Sequence, residues 1–190
     1  MDKKQLRQLV ISKRNTLTEA ERTSKSALIT HSVLSLPEVK FAKAIAGFMD
    51  FRGEVYMTDL LNAIISNKTA LYLPRIIPNS QRMEFYQVSD LNHLKRNAFG
   101  ILEPNPRISR LGDINHLSVV LTPGVAFSKE GYRLGYGAGY YDRFFKLLSE
   151  DVQRIGIGFD LQLVDNLPIE SHDVQLHRII TESQHIECIK

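Results

Sequence analysis

Short apolar runs alternate with helical stretches along most of the chain, and this alternation restricts the possible folds more than any other feature. Strands are predicted at 44–48, 70–73, 83–88, 117–121 and 154–159. Helices are predicted at 2–15, at 58–66, at 140–148, and from the capping-box pair Thr18 and Glu21 to Leu34, where Pro37 stops the pattern. Strands that alternate with helices are typical of an α/β fold with a largely parallel sheet.

The composition fits one globular domain spanning residues 1–190. With 43% apolar and 24% charged residues, the chain can build a core and shows no sign of wholesale disorder. The stretch 95–115 contains two prolines and two glycines without periodicity, which predicts a long loop rather than a domain linker. No repeat or shift in composition divides the chain.

A mild positive charge and one cysteine restrict the partners and the compartment. The net charge is +3, but basic residues form no run of five or more, which favours a polyanionic small molecule over nucleic acid. Cys188 is the only cysteine, so no intrachain disulfide or thiolate metal cage can form, and we expect a cytoplasmic protein. No stretch approaches the ~18 apolar residues of a membrane span. We therefore expect neither a nucleic-acid nor a membrane partner.

Glycines crowd between a predicted strand and a predicted helix, in a stretch that we call the glycine-rich segment (131–142). Gly131, Gly135, Gly137 and Gly139 would let successive backbone N–H groups point at one anion, and the following helix would add its positive dipole end. The segment contains neither GxxxxGK[ST] nor GxGxxG, since Tyr140 occupies the third glycine position. Phosphate is the expected ligand, and a tight surface turn is the alternative.

Several charged residues allow two interpretations each. Asp142, in the first turn of the predicted helix, either stabilises the helix end or holds Mg²⁺. Lys3, Arg7 and Arg14 share one side of the first helix, which forms either a solvated face or a basic stripe that neutralises a triphosphate beside the glycines.

Further along the chain, Glu54 follows a predicted strand, where α/β folds place ligands, although a solvated position is the alternative. Asp173 is either a metal ligand or a turn residue. His172 and His177 lack the further ligands of a zinc site. Helical spacing places Tyr141 in the core.

These patterns together resemble the 5-formyltetrahydrofolate cyclo-ligase family, also called methenyltetrahydrofolate synthetases. The resemblance spans nearly the whole chain, and it is carried by Lys3-x-x-Leu6-Arg7, Glu54, Gly100-Ile101-Leu102-Glu103-Pro104, GYRLGYGAGYYDRFF and LPIESHD. It implies a monomeric, three-layer α/β sandwich similar to the folds of sugar-phosphate isomerases and coenzyme A transferases. It also implies ATP- and Mg²⁺-dependent cyclisation of 5-formyltetrahydrofolate to 5,10-methenyltetrahydrofolate, with release of ADP and phosphate.

The resemblance assigns roles to individual residues. ATP would be bound by Lys3, Lys4, Gln5, Leu6, Arg7, Arg133, Leu134, Gly135, Tyr136, Gly137, Ala138, Gly139, Tyr140 and Tyr141. The folate would contact Met49, Glu54, Tyr136, Gly137, Ala138, Gly139 and Tyr140. Asp142 and Asp173 would hold Mg²⁺, and the catalytic residues would be Glu54, Arg133 and Tyr140. Some relatives carry a basic residue where this chain has Tyr136 or Ala138, so Arg133 or Lys3 becomes the expected cation for the γ-phosphate.

The implied reaction begins with attack of the formyl oxygen on the γ-phosphate, after which N10 closes the ring and phosphate leaves. Two alternatives come from other classes of protein. One is a sugar-phosphate isomerase or coenzyme A transferase on a similar fold, which would not need ATP. The other is a non-catalytic nucleotide- or RNA-binding module, which would bind without turnover.

Overall fold

A computed structural model describes residues 1–78, 80 and 82–188. Its helices are α1 (Lys3–Arg14), α2 (Glu19–Ser35), α3 (Pro37–Lys40), α4 (Thr58–Ser66) and α5 (Tyr140–Phe145). Its strands are β1 (Ala44–Ala46), β2 (Ala70–Ile76), β3 (Met83–Val88), β4 (Lys95–Arg96), β5 (Leu102–Glu103), β6 (Val119–Thr122), β7 (Ala126–Phe127), β8 (Arg133–Leu134), β9 (Gln153–Ile157), β10 (Arg178–Ile180) and β11 (His185–Glu187). None of these helices is long and apolar enough to cross a membrane.

Among the residues that the structure describes, seven strands form one central sheet in the order β11-β10-β9-β6-β1-β2-β3. The five inner strands run parallel, and β3 and β11 pair antiparallel at the two edges. From β1 the chain goes to β2 on one side, and from β6 to β9 and β10 on the other. The direction of strand order therefore reverses between β1 and β6, which is where α/β sheets place their ligands.

Alternation along the strands supplies apolar side chains to both faces of the sheet. Within β1, Ile45 packs into one core with residues of α2 and α4, whereas Ala44 and Ala46 pack into a second core with Phe144 and Phe145 of α5. A third cluster joins Leu6 and Val10 of α1 to β7 and β8. Helices cover both faces, which confirms the predicted α/β sandwich with a largely parallel sheet.

Helix α2 begins at the predicted capping box, and α1 begins at Lys3, one residue after its predicted start. Asp2 caps α1 through a reciprocal pair of hydrogen bonds with Gln5, and Thr18 caps α2 in the same way with Glu21. Leu36 ends α2 in an extended conformation, and Pro37 begins the short α3, which the sequence analysis did not predict.

Several predicted boundaries are wrong, and the errors have physical causes. The predicted helix 140–148 ends at Phe145, so α5 has six residues and only a small dipole. The predicted strands 44–48, 117–121 and 154–159 are observed as β1, β6 and β9, whose ends differ from the predicted ones by up to two residues. The predictions followed runs of apolar residues, and such a run can continue beyond the hydrogen-bonded part of a strand. The predicted loop 95–115 contains the short β4–β5 hairpin. Strands β10 and β11 were not predicted.

Candidate active site

Two segments meet at the reversal point of the sheet. The loop that follows β1 carries Met49 and Glu54, and the glycine-rich segment follows β6 through the β7–β8 hairpin. The hydroxyl of Tyr136 donates a hydrogen bond to Oε1 of Glu54 at 3.0 Å, across 82 positions of sequence. The structure thus brings the predicted folate-contacting loop against the predicted nucleotide-binding segment.

Glu54 is a buried carboxyl group with both oxygens hydrogen-bonded. Arg52 and Gly53 take positive φ values of 46° and 80° in the turn just before it, which the Glu54 N–H closes by donating to the main-chain oxygen of Phe51 at 3.1 Å. The backbone N–H of Phe51 donates to Oε2 at 3.0 Å. Burial raises the pKa of Glu54 to about 7, although Arg14, Tyr136 and the Phe51 N–H all favour its charged form. Near neutral pH this group can therefore both accept and release a proton.

A cavity of about 430 Å³ adjoins this loop, and its lining includes Arg14, Arg22, Gly53 and Tyr56. Arg22 shapes the cavity wall because it donates to the main-chain oxygen of Glu54 at 2.6 Å and lies 3.7 Å from the centre of the Tyr56 ring. Arg22 also forms an ion pair with Asp50 at 3.1 Å. The volume is within the usual range for a small-molecule site. Neither Arg22 nor Asp50 was predicted, because their contacts join distant parts of the chain.

The glycine-rich segment is open at its centre and closed at its start. Residues 136–138 are exposed, and Gly137 and Gly139 have positive φ values of 108° and 65°. Gly131 also has a positive φ, of 94°, but a Cβ there would lie 2.7 Å from the backbone oxygen of Leu176. The predicted anion cradle thus does not include Gly131, which permits close packing of two chain segments.

Helix α1 lies against this segment, as it must if its basic side chains are to reach a triphosphate beside the glycines. Nε of Arg7 donates to the backbone oxygen of Gly135 at 2.7 Å, and its guanidinium also lies beside Gly137. Arg14 is not part of a solvated face, because only 1% of it is exposed. Lys3 stands at the other end of the same side of α1.

The two cations expected for the γ-phosphate, Arg133 and Lys3, are paired with predicted metal ligands. Nη2 of the buried Arg133 lies 2.9 Å from Oδ2 of Asp142, and Nζ of Lys3 lies 3.1 Å from Oδ2 of Asp173. Partial burial disfavours the charge of Lys3, but hydrogen bonds to Glu170 and Asp173 raise its pKa overall. Burial lowers the pKa of Arg133, while both Asp142 and Asp173 oppose that shift. The charges of both aspartates therefore act on Arg133.

Asp173 belongs to a small cluster of potential metal ligands. One ligand atom each from Glu170, His172 and Asp173 lies within 4.8 Å of the others. Nε2 of His172 is 3.3 Å from Oε2 of Glu170, a proximity that the spacing of these residues in the sequence did not reveal. Lys3 reaches the same Glu170 oxygen at 2.9 Å.

Other predicted nucleotide contacts belong to the core or to local structure. Leu6 and Leu134 are 6% and 2% exposed, and their side chains pack in the third cluster. Gln5 is engaged with the Asp2 cap, and Lys4 is exposed. The hydroxyl of Tyr141 is buried without a hydrogen-bond partner among the described residues, and its ring packs against Phe145, as helical spacing predicts.

Tyr140 and Ala138 lie where the segment passes into α5. Ala138 is exposed and Tyr140 is half-buried. Arg143 donates to the main-chain oxygen of Ala138 at 2.5 Å, and its guanidinium carbon lies 5.5 Å from the centre of the Tyr140 ring. These contacts fix the end of the segment against α5. The part of the segment that solvent or a ligand can reach is therefore Gly135 to Ala138, of which the last three residues are exposed.

Comparison with known proteins decides the family. A model of the 5-formyltetrahydrofolate cyclo-ligase family matches residues 1–182. The chain belongs to this family. It is 32% identical over 180 residues to the 5-formyltetrahydrofolate cyclo-ligase of Haemophilus influenzae, covering 94% of this chain and 96% of that protein.

Solved structures of cyclo-ligase relatives share the fold. The 5,10-methenyltetrahydrofolate synthetase of Aquifex aeolicus superimposes with a TM-score of 0.87 at 32% identity, covering 100% of this chain and 94% of the other. The enzyme of the same name from Mycoplasma pneumoniae has a TM-score of 0.78 at 27% identity, covering 96% of this chain and 100% of the other. The likeness therefore includes the sheet and the segments at its reversal point.

Proposed function

We propose that this chain catalyses the ATP- and Mg²⁺-dependent cyclisation of 5-formyltetrahydrofolate to 5,10-methenyltetrahydrofolate, with ADP and phosphate as the other products. Family membership supports the reaction. The observation that carries the assignment of the site is the 3.0 Å hydrogen bond between Tyr136 and Glu54, because it joins the two substrate segments at the sheet reversal. We further propose that the protein acts as a monomer in the cytoplasm.

The nucleotide is proposed to lie along the accessible glycines, between α1 and the start of α5. The backbone N–H groups of Gly135 to Ala138 and the side chains of Lys3, Arg7 and Arg133 would bind its phosphates. Arg133 is the best-supported cation for the γ-phosphate, since it lies beside Asp142 inside the segment itself. Leu6 and Leu134 contribute only by holding these elements together.

Asp142 and Asp173 fit a magnesium ion by the chemistry of their donors. Both offer carboxylate oxygens, which Mg²⁺ prefers, and their side chains are only 16% and 10% exposed. Each already lies against a cation, so each position tolerates positive charge. Bound Mg²⁺ would neutralise phosphate charge and hold the triphosphate in one geometry.

The folate is proposed to enter along the loop that carries Met49 and Glu54, with Tyr140 at the junction of the two substrates. The formyl oxygen forms a bond to the γ-phosphorus while the bond from that phosphorus to ADP breaks. N10 then bonds to the formyl carbon and loses its proton, and the carbon–oxygen bond breaks as phosphate leaves. The pKa of Glu54, about 7, suits it to accept the N10 proton.

The competing assignments differ in what they require. A sugar-phosphate isomerase or coenzyme A transferase would need no ATP, and a nucleotide- or RNA-binding module would show no turnover. Product formation that depends on ATP therefore distinguishes the proposed reaction from both alternatives.

Purified protein mixed with ATP, Mg²⁺ and 5-formyltetrahydrofolate should produce the near-ultraviolet absorbance of the methenyl product. Omission of ATP should abolish the rise, and Glu54→Gln should reduce its rate by about 10²-fold or more. Exposed Glu150 provides the matched control, because Glu150→Gln makes the same chemical change at an exposed position that has no role in the proposed site. A wild-type protein that shows no ATP-dependent rise would refute the proposed function.

A further inference from the structure

Arg14 is a buried cation that the proposed reaction has not yet used. It is the last residue of α1, and only 1% of it is exposed. Nη2 donates to the main-chain oxygen of Arg52 at 2.7 Å and to the hydroxyl of Tyr136 at 2.8 Å. Nε and Nη1 are buried without a hydrogen-bond partner among the residues that the structure describes. Burying a guanidinium with unpaired donors is costly, so a purely structural tether is a poor explanation.

Tyr136 transmits the position of Arg14 to Glu54. A phenol has a single proton, and because its oxygen accepts from Arg14, that proton is free to be donated to Oε1 of Glu54 at 3.0 Å. The other carboxylate oxygen is held by the Phe51 N–H. Both oxygens of Glu54 are thus oriented, and the hydrogen-bonded series Arg14–Tyr136–Glu54 joins α1, the glycine-rich segment and the loop after β1.

Charges from several elements act on this carboxyl group. Arg14 from α1 favours the carboxylate, whereas Asp50 in the same loop disfavours it. Tyr136 approaches from the glycine-rich segment, and its own pKa is raised by burial and by Glu54. Arg22 from α2 contacts only the main-chain oxygen of Glu54. Among these groups, Arg14 makes the largest contribution in favour of the charged form.

We propose that Arg14 is a positioning residue for the cyclisation, which holds Tyr136 and keeps the Glu54 carboxylate oriented and charged to accept the proton of N10. This inference rests on the proposed function. It also predicts that Arg14 and Tyr136 act as one unit, since either change breaks the same hydrogen-bonded series.

Activity measurements test this unit directly. Arg14→Met and Tyr136→Phe should each lower kcat with 5-formyltetrahydrofolate by roughly 10-fold to 100-fold near pH 7, with the KM for ATP within about twofold of wild type. The double variant should lose little more than either single variant. Arg14→Lys should recover part of the loss. Exposed Lys13 supplies the control, because Lys13→Met removes the neighbouring positive charge from the same end of α1.

A second readout does not require turnover. The Glu54 carboxyl carbon, assigned by its loss in Glu54→Gln, should titrate near pH 7 by ¹³C NMR in the wild-type protein. In folded Arg14→Met the midpoint should rise by roughly one to three pH units, because an opposite charge has been removed. An unchanged titration midpoint of Glu54 in Arg14→Met would overturn the role of Arg14. So would a double variant whose loss of kcat equals the product of the two single losses. Absence of product from the wild-type protein would instead refute the proposed function.

Discussion

The buried carboxyl group of Glu54 should make the free energy of unfolding depend on pH. Its pKa is about 7 in the folded protein against an ordinary value of 4.5, so the folded state binds this proton more tightly than the unfolded state. Below pH 4.5 both states are protonated, and burial of this group carries no charge penalty. Between pH 4.5 and pH 7 the unfolded chain releases this proton while the folded protein retains it, so the free energy of unfolding falls by about 3 kcal/mol in total and levels off above pH 7.

Glu54→Gln removes this titration while keeping the shape of the side chain. The variant should gain about 3 kcal/mol of stability relative to wild type between about pH 4.5 and pH 8. For a chain of this size that corresponds to a rise of roughly 6–12 °C in relative Tm. Arg14 is buried in both proteins at every pH, so the free-energy cost of its desolvation largely cancels when the pH dependence of the two proteins is compared.

The measurement is urea unfolding of both proteins at several pH values and constant ionic strength. The quantity of interest is the difference in free energy of unfolding between variant and wild type, because all other titrating groups are common to both. Glu150→Gln, at an exposed position, should leave the pH dependence of wild type unchanged. A difference between Glu54→Gln and wild type that stays constant from pH 5 to pH 8 would refute burial of this carboxyl group.

Three further predictions concern the glycine-rich segment and its partners. Asp142→Asn should lower turnover by about 10²-fold or more without rescue by excess Mg²⁺, and normal turnover in a steady-state assay would remove it from the site. Lys3→Met should weaken binding of the magnesium nucleotide, measured by calorimetry, yet strengthen binding of Mn²⁺ alone, measured by electron paramagnetic resonance. Weaker binding of both ligands would contradict the pairing of Lys3 with Asp173. Gly131→Ala should destabilise by about 2–4 kcal/mol in urea unfolding, because its Cβ would approach Leu176 O within 2.7 Å; wild-type stability would contradict this packing.

Much of the sheet could be predicted from its apolar runs, but its C-terminal edge could not. Runs such as that in β6 are buried on both faces, which gives a strong signal in the sequence. Strand β11 has the sequence His-Ile-Glu, with only Ile186 packed against a core. A three-residue edge strand with two exposed polar side chains resembles a loop in sequence, and its pairing with β10 depends on tertiary contacts.

The site shows the same division between local and long-range information. Glu54 could be predicted as a site residue because it follows the carboxyl end of a strand, where α/β folds bind ligands. Gly137 could be predicted because it lies in a cluster of glycines. The burial of Arg14 could not be predicted, since its spacing from Lys3 and Arg7 is equally typical of a solvated helix face. Its partner Tyr136 lies 122 positions away, and no local pattern encodes that contact.

The ion pairs at Lys3 and Arg133 suggest why the metal and the nucleotide should bind together. Lys3 lies 3.1 Å from Asp173, and Arg133 lies 2.9 Å from Asp142. ATP alone would draw the two cations away and leave partly buried carboxylates unpaired, whereas Mg²⁺ alone would have to compete with those cations. Under the proposed function a magnesium nucleotide would pair all four groups at once, because the carboxylates would hold the metal while the cations would hold the phosphates. Lys3→Met removes the competitor of the metal and a partner of the phosphate together, which is why its two effects should have opposite signs.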